Sequence, residues 1–351
     1  YGMTHVVLVY ALLSRILSVL CSVIPVIFFN TGVPGAIIGL TLASFGSFLV
    51  GMRLLTLPFK DVTRRKTDLT TADILRFSMP VFSSSLYGFV IGSASQFFVS
   101  RYLGVENFAM FANGYRELPI AGIVIGAVAG ILLPEFSRMT KGGSDSKQYL
   151  VLWKNVVLKS AAVIYPFSLY CCIFAPEIMG VLYGTVYREA ADLFRIVTII
   201  NLVRIVPYGP IMFALGKVKI FAKAHLVTAL LLLGLDFLCV TFFPSLSAIA
   251  IIATTTTVFC LVVLMVSTAR LLNTGLSRLM PWKSMFKILS VSTFSCFLGS
   301  CAVNLIGVTR DFPALLSGFL ISIVIYLPLS YIAGINYARL LKPLVSTNQR
   351  K

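Results

Sequence analysis

Residues 246–270, LSAIAIIATTTTVFCLVVLMVSTAR, carry no charged side chain before Arg270. A helix of this length crosses the hydrocarbon core of a bilayer, which takes about 20 consecutive apolar residues. Outward from this stretch the same reading applies nine more times, to 5–29, 35–57, 77–100, 109–136, 155–181, 192–215, 221–243, 286–308 and 312–333. Together these runs account for nearly everything between Thr4 and Tyr337. Only 12% of the 351 residues are charged and 58% are hydrophobic, with a mean hydropathy of +0.95, which is too apolar for a soluble globule. The expected fold is an all-α integral membrane protein of about ten transmembrane helices.

The basic residues test that expectation, because Lys and Arg crowd into the cytoplasmic loops of a membrane protein. The stretch from Arg53 to Arg76 holds six, Arg138 to Lys159 five, Lys217 to Lys223 three, Arg270 to Lys287 four and the tail from Arg339 four. The alternate loops hold only Arg101, Arg116, Arg188, Arg195 and Arg310, while Arg15 and Arg204 lie inside spans. This alternation fits ten spans with both termini cytoplasmic, in a cytoplasmic membrane. It also explains a formal charge of +17 without nucleic acid as a partner, since the cations fall between apolar runs and not on one soluble face.

Residues 58–76, PFKDVTRRKTDLTTADILR, are the one long polar connector in the first third, and they separate two spans from eight. The expected organisation is residues 1–58 as two helices of one lobe, 59–76 as a cytoplasmic linker, 77–270 as a six-helix lobe and 271–351 as two further helices and a tail. The chain opens Tyr1-Gly2-Met3 without a basic and apolar leader, and the expectation is a fragment. Outward loops of about a dozen residues at most leave no room for an extracellular catalytic domain.

Catalytic signatures are missing. The nearest approach to a P-loop, Gly209 to Lys217, has six residues between its glycines instead of four. His5 and His225 have no partner at ligand spacing, no GxSxG elbow occurs, and no acidic pair occupies an outward loop. The seven cysteines sit in apolar runs and read as small buried hydrophobes. No enzyme activity, metal or cofactor is expected.

Polarity at membrane depth is what the sequence does offer, because a charge there costs on the order of 3 kcal/mol unless it faces a cavity or a partner. Arg15 lies about ten residues into the first span, Arg116 about eight into the fourth and Arg204 near the middle of the sixth. Asn201, Arg204 and Tyr208, at i, i+3 and i+7, would share one helical face. Pro207 and Pro210 follow, and prolines there break the hydrogen-bond ladder. Arg204 either lines a cavity or pairs with Asp236 of the next span. Ser85, Gly92, Ser93, Gln96 and Ser100 of the third span line a cavity or bond across to a neighbour. Gly122, Gly126 and Gly130 read as a close-packing stripe, and Thr254 to Thr257 as a packing surface whose hydroxyls bond back to their own helix.

Residues 74–86 (ILRFSMPVFSSSL) closely resemble the segment opening the second lobe of polysaccharide flippases, in the multidrug/oligosaccharidyl-lipid/polysaccharide exporter superfamily. Residues 96–106 (QFFVSRYLGVE), 111–116 (FANGYR), 182–187 (LYGTVY), 190–195 (AADLFR) and 214–219 (ALGKVK) resemble later family patterns in order. The resemblance covers most of the chain and contains no catalytic signature. It implies the last part of a fourteen-helix, two-lobe transporter, with about four helices upstream. It further implies a flippase that moves lipid-linked oligosaccharide on an isoprenoid pyrophosphate carrier by alternating access, in contact with membrane lipids and other polysaccharide assembly proteins. Arg15, Arg116 and Arg204, with Gln96, Asn201, Tyr208 and Asp236, are the candidate cavity residues. A drug/cation antiporter of the same superfamily is a rival, but it wants acidic groups and only Glu117, Glu135, Glu177 and Asp236 lie in or near spans. A membrane sugar polymerase or ligase is a second rival, and it lacks the outward loop such chemistry requires.

Overall fold

The structure, a computed structural model, describes residues 4–57, 70–143, 145–335 and 337. Of the expected linker, residues 59–69 lie outside the described residues, as does the tail from residue 338. The described chain is helical without a strand, and nine of its helices are long and apolar enough to cross a membrane. The protein is therefore an all-α membrane protein. It divides into two compact units, Tyr1–Thr71 and Ala72–Lys351.

The first unit is a hairpin of α1 (Thr4–Phe29) and α2 (Gly32–Thr56). A turn with Asn30 at φ 50° and Gly32 at φ 61° reverses the chain, and the Thr31 hydroxyl donates to the Pro25 carbonyl at 2.8 Å. Gly39 lies directly against the Cys21 carbonyl, so a side chain there would hold the two backbones apart. Tyr10 ties the helices together by donating to the Ser47 carbonyl at 2.8 Å. Only Gly39 and Ala43 of α2 are buried, and residues such as Leu13 and Phe45 stand exposed, as suits a surrounding solvent of hydrocarbon. A hollow of about 660 Å³ lies along this hairpin and is apolar apart from Tyr10, Ser14 and Ser47.

The second unit is built around α6 (Ser146–Ile173), where Trp153, Val157, Ala161, Ile164, Ser168 and Cys171 recur every three or four residues and are all buried. Against it pack α5 (Pro119–Lys141), α8 (Ala191–Thr198), α9 (Ile200–Val203) and α14 (Trp282–Ile306). Two hairpins complete the unit. One joins α11 (Val218–Phe242) to α12 (Leu246–Leu271), and the other joins α14 to α15 (Asp311–Ile332). Within the latter, Gly299 lies against Ser322 and the Gly318 carbonyl, while Gly318 lies against the Phe174 ring. A short helix, α13 (Leu276–Leu279), connects the hairpins.

Three expected spans are interrupted. Span 109–136 is α4 (Val105–Gly114) and α5, with an irregular stretch between them: Pro119 forces Leu118 into the extended region at ψ 120°. Span 155–181 is α6 followed, after Phe174, by α7 (Ala175–Tyr183), which has a proline in its first turn. Span 192–215 is not a single helix. It consists of α8, α9, an irregular stretch over 204–208 and α10 (Gly209–Ala214). Pro207 lies in the irregular stretch and Pro210 in the first turn of α10, positions where a residue without an N–H donor costs no ladder bond. One freed acceptor, the Leu202 carbonyl, is satisfied by the Tyr165 hydroxyl at 3.0 Å. The expectation that Asn201, Arg204 and Tyr208 share a face of one continuous helix is thereby corrected, since Asn201 sits in α9 before the break and Arg204 and Tyr208 at its first and last residues. The third span, finally, begins earlier than expected: α3 runs Thr71–Tyr102, starting within the linker drawn at 59–76.

Candidate functional site

Two adjoining hollows of about 490 and 450 Å³ lie inside the second unit and share Gly88, Arg204, His225, Leu261 and Leu264 as walls. Their charged groups come from the places where helices break. Tyr115, Arg116 and Glu117 occupy the interval between α4 and α5, and Arg204 caps the C-terminus of α9 at φ −87°, ψ 70°. Helix α3 adds Gly88, Gly92, Ser95 and Gln96 to the first hollow, and Ser84 and Ser85 to the second. Where glycine and serine stand in place of large apolar groups, the wall is recessed and polar.

Arg204 forms an ion pair with Glu117, its side chain 24% and that of Glu117 47% exposed. The alternative that Arg204 pairs with Asp236 is corrected. Asp236 is wholly buried on α11 and accepts a hydrogen bond from the Ser95 hydroxyl at 2.7 Å, while its other oxygen has no partner among the described residues. Arg116 is exposed and has no ion-pair partner among the described residues. The charged walls of the first hollow are thus Arg116, Arg204 and Glu117, one positive charge in excess.

Of the remaining candidates, Gln96 lines the first hollow and Tyr208 the second. Asn201 lines neither. It is buried, and neither its amide nitrogen nor its oxygen has a partner among the described residues. Tyr208 is buried with its ring 5.5 Å from that of Trp153. Arg15 belongs to the first unit, where it is exposed. The third-span serines divide: Ser85 lines the second hollow, while Ser93 and Ser100 line neither.

Other wall residues were not singled out in the sequence. Tyr115 shares a 3.0 Å hydrogen bond with Thr254 and stacks on Phe111 at 5.0 Å. His225 donates through Nδ1 to the Phe221 carbonyl at 2.9 Å, since a carbonyl only accepts. Thr256 and Thr257 bond back to their own helix as expected, but Thr254 reaches across to Tyr115. The packing assigned to the glycine stripe is also corrected. A methyl on Gly122, Gly126 or Gly130 would meet no atom within 4 Å, so this stripe of α5 faces open space among the described residues. Close approach is made instead by Gly114 against Ala190, Gly299 against Gly318 and Gly318 against Phe174. No group of three or more His, Cys, Asp and Glu among the described residues could hold a metal ion.

The chain compares with known proteins as follows. Residues 4–192 match the sequence profile of a family described as polysaccharide biosynthesis protein. Among solved structures, the fold is similar to that of lipid II flippase MurJ in an inward closed conformation, with a TM-score of 0.58 and 15% sequence identity over 95% of this chain. The chain spans 66% of the length of that protein. No curated protein matches it by sequence.

Proposed function

Because the chain belongs to the polysaccharide biosynthesis protein family, we propose that it acts as a flippase, moving a lipid-linked oligosaccharide on an isoprenoid diphosphate carrier across the cytoplasmic membrane. In this reading it is a transporter and not an enzyme. The head group is the obstacle: hydrocarbon rejects a diphosphate and its sugars, so the protein must supply a polar and cationic route. The observation that carries the reading is the cavity walled by Arg116, Arg204 and Gln96, in which arginine offers forked donors suited to phosphate oxygens. The fold likeness to a lipid II flippase adds support.

Alternating access supplies the movement in this reading. The cavity of the second unit opens to one side of the membrane and then to the other, while the isoprenoid tail stays in the bilayer. Helices α1 and α2 belong to the first lobe, the second runs from α3 at Thr71 through α12, and α14 and α15 are two further spans, with the basic loops cytoplasmic. An inside-negative potential assists export of the anion by about 2.3 kcal/mol per charge per 100 mV.

Arg116 gives the cleaner test, since removing it orphans no ion-pair partner among the described residues. Arg116→Ala is expected to abolish complementation of a polysaccharide-export defect at normal membrane abundance. The loss of a charge-assisted bond corresponds to roughly 10- to 100-fold weaker binding of the head. Arg116→Lys is expected to keep part of the activity. Full complementation by Arg116→Ala would sink the reading.

A further inference from the structure

Glu117 is the feature that a simple anion site does not explain. A cavity built only to hold a diphosphate has no use for a carboxylate on its strongest donor, yet Glu117 pairs with Arg204 from 87 residues away in the chain. Both residues stand where helices are interrupted, Glu117 between α4 and α5 and Arg204 at the C-terminal cap of α9. The pair is accessible, at 24% and 47% side-chain exposure, so neither charge is trapped. Glu117 also leaves the guanidinium unsaturated, because Arg204 Nε is buried with no partner among the described residues. Arg116, next to Glu117 in the chain, is unpaired among the described residues.

We propose that Glu117 is an internal counter-anion of the cavity, which the diphosphate head displaces from Arg204. This rests on the flippase reading of the same cavity. In the empty site Glu117 neutralises Arg204. An entering diphosphate brings several oxygens that take up the forked donors of Arg204 together with the free Arg116, and its charge repels the carboxylate toward solvent. No bond is made or broken in this exchange beyond hydrogen bonds and ion pairs. The consequence is a threshold. A bulk phospholipid, with a single phosphodiester charge, trades one anion for another and gains little, whereas a diphosphate gains the second arginine as well.

The test measures binding of farnesyl diphosphate, with farnesol as the uncharged control, to the full chain in nanodiscs of zwitterionic lipid. Glu117→Gln removes the competing charge and keeps the shape. It is expected to bind farnesyl diphosphate about fivefold more tightly than the parent, the factor that corresponds to about 1 kcal/mol for an accessible ion pair. Glu117→Asp, with a shorter reach, is expected to tighten binding by a smaller factor. In an Arg204→Ala background most of the gain from Glu117→Gln should vanish, because there is no pair left to break.

The failures are distinguishable. If Arg204→Ala binds farnesyl diphosphate as the parent does, or if farnesol binds equally well, the flippase reading of this cavity falls and the exchange falls with it. If Arg204→Ala weakens binding but Glu117→Gln leaves it unchanged or weaker, the exchange alone is overturned and Glu117 is a positioning residue for Arg204. Loss of folded protein in both Glu117 variants would overturn the exchange too, since the pair would then be a structural requirement.

Discussion

Replacing Gly318 by alanine separates two kinds of glycine that look alike in the sequence. A methyl at Gly318 would meet Cζ of Phe174 and lie 2.7 Å from its Cε1 and 3.2 Å from its Cε2. Carbon atoms pack at about 3.5–4.0 Å, so the ring would have to retreat by roughly 1 Å. It has nowhere to go, because Phe174 is only 3% exposed and its ring lies tilted 4.8 Å from that of Tyr170. Overpacking of this kind costs about 1–3 kcal/mol. The gain in helix propensity on replacing glycine by alanine, up to about 1 kcal/mol, acts in the opposite direction. Gly126→Ala is the matched control: its methyl meets no atom within 4 Å, so the propensity gain stands alone. Both variants gain the same propensity, and the difference between them isolates the steric cost, about 1–3 kcal/mol against Gly318→Ala. Thermal unfolding of the purified protein, followed by intrinsic fluorescence in one detergent at one scan rate, should order the midpoints Gly126→Ala, parent, Gly318→Ala. A Gly318→Ala midpoint at or above that of Gly126→Ala would refute the packing argument for α15 against Phe174.

Two further outcomes follow from the charge placement. In double-mutant cycles of stability, Arg204→Ala with Glu117→Gln should couple by about 0.2–1 kcal/mol, the range for partly exposed pairs, while Arg204→Ala with Asp236→Asn should be additive within about 0.5 kcal/mol; a larger coupling to Asp236 would overturn the pairing seen here. Reporters fused near Lys141, Lys219 and Lys283 are expected to read as cytoplasmic, and those near Val105, Ser245 and Arg310 as external, with any one fusion reading on the opposite side refuting the map.

The sequence alone determined where the chain is helical and apolar. A backbone in hydrocarbon must satisfy its own hydrogen bonds within each segment, so a span is written locally as an apolar run of sufficient length. That is why the expected 221–243 and 312–333 fall within a few residues of Val218–Phe242 and Asp311–Ile332. The prolines at the interruption of the sixth span were equally visible, since their missing donor is a local property. Which side chains meet was not. Arg204 could reach Asp236 on the next helix or Glu117 far back in the chain, and only the way the helices cross selects Glu117. The glycine stripe of α5 has the spacing of a packing motif yet faces open space among the described residues, whereas Gly114, Gly299 and Gly318, none of which lies in a glycine repeat, carry close contacts. Spacing along one helix settles which residues share a face. What that face meets depends on the position of a second helix, and tertiary packing decides it because neighbouring apolar helices are nearly interchangeable in sequence.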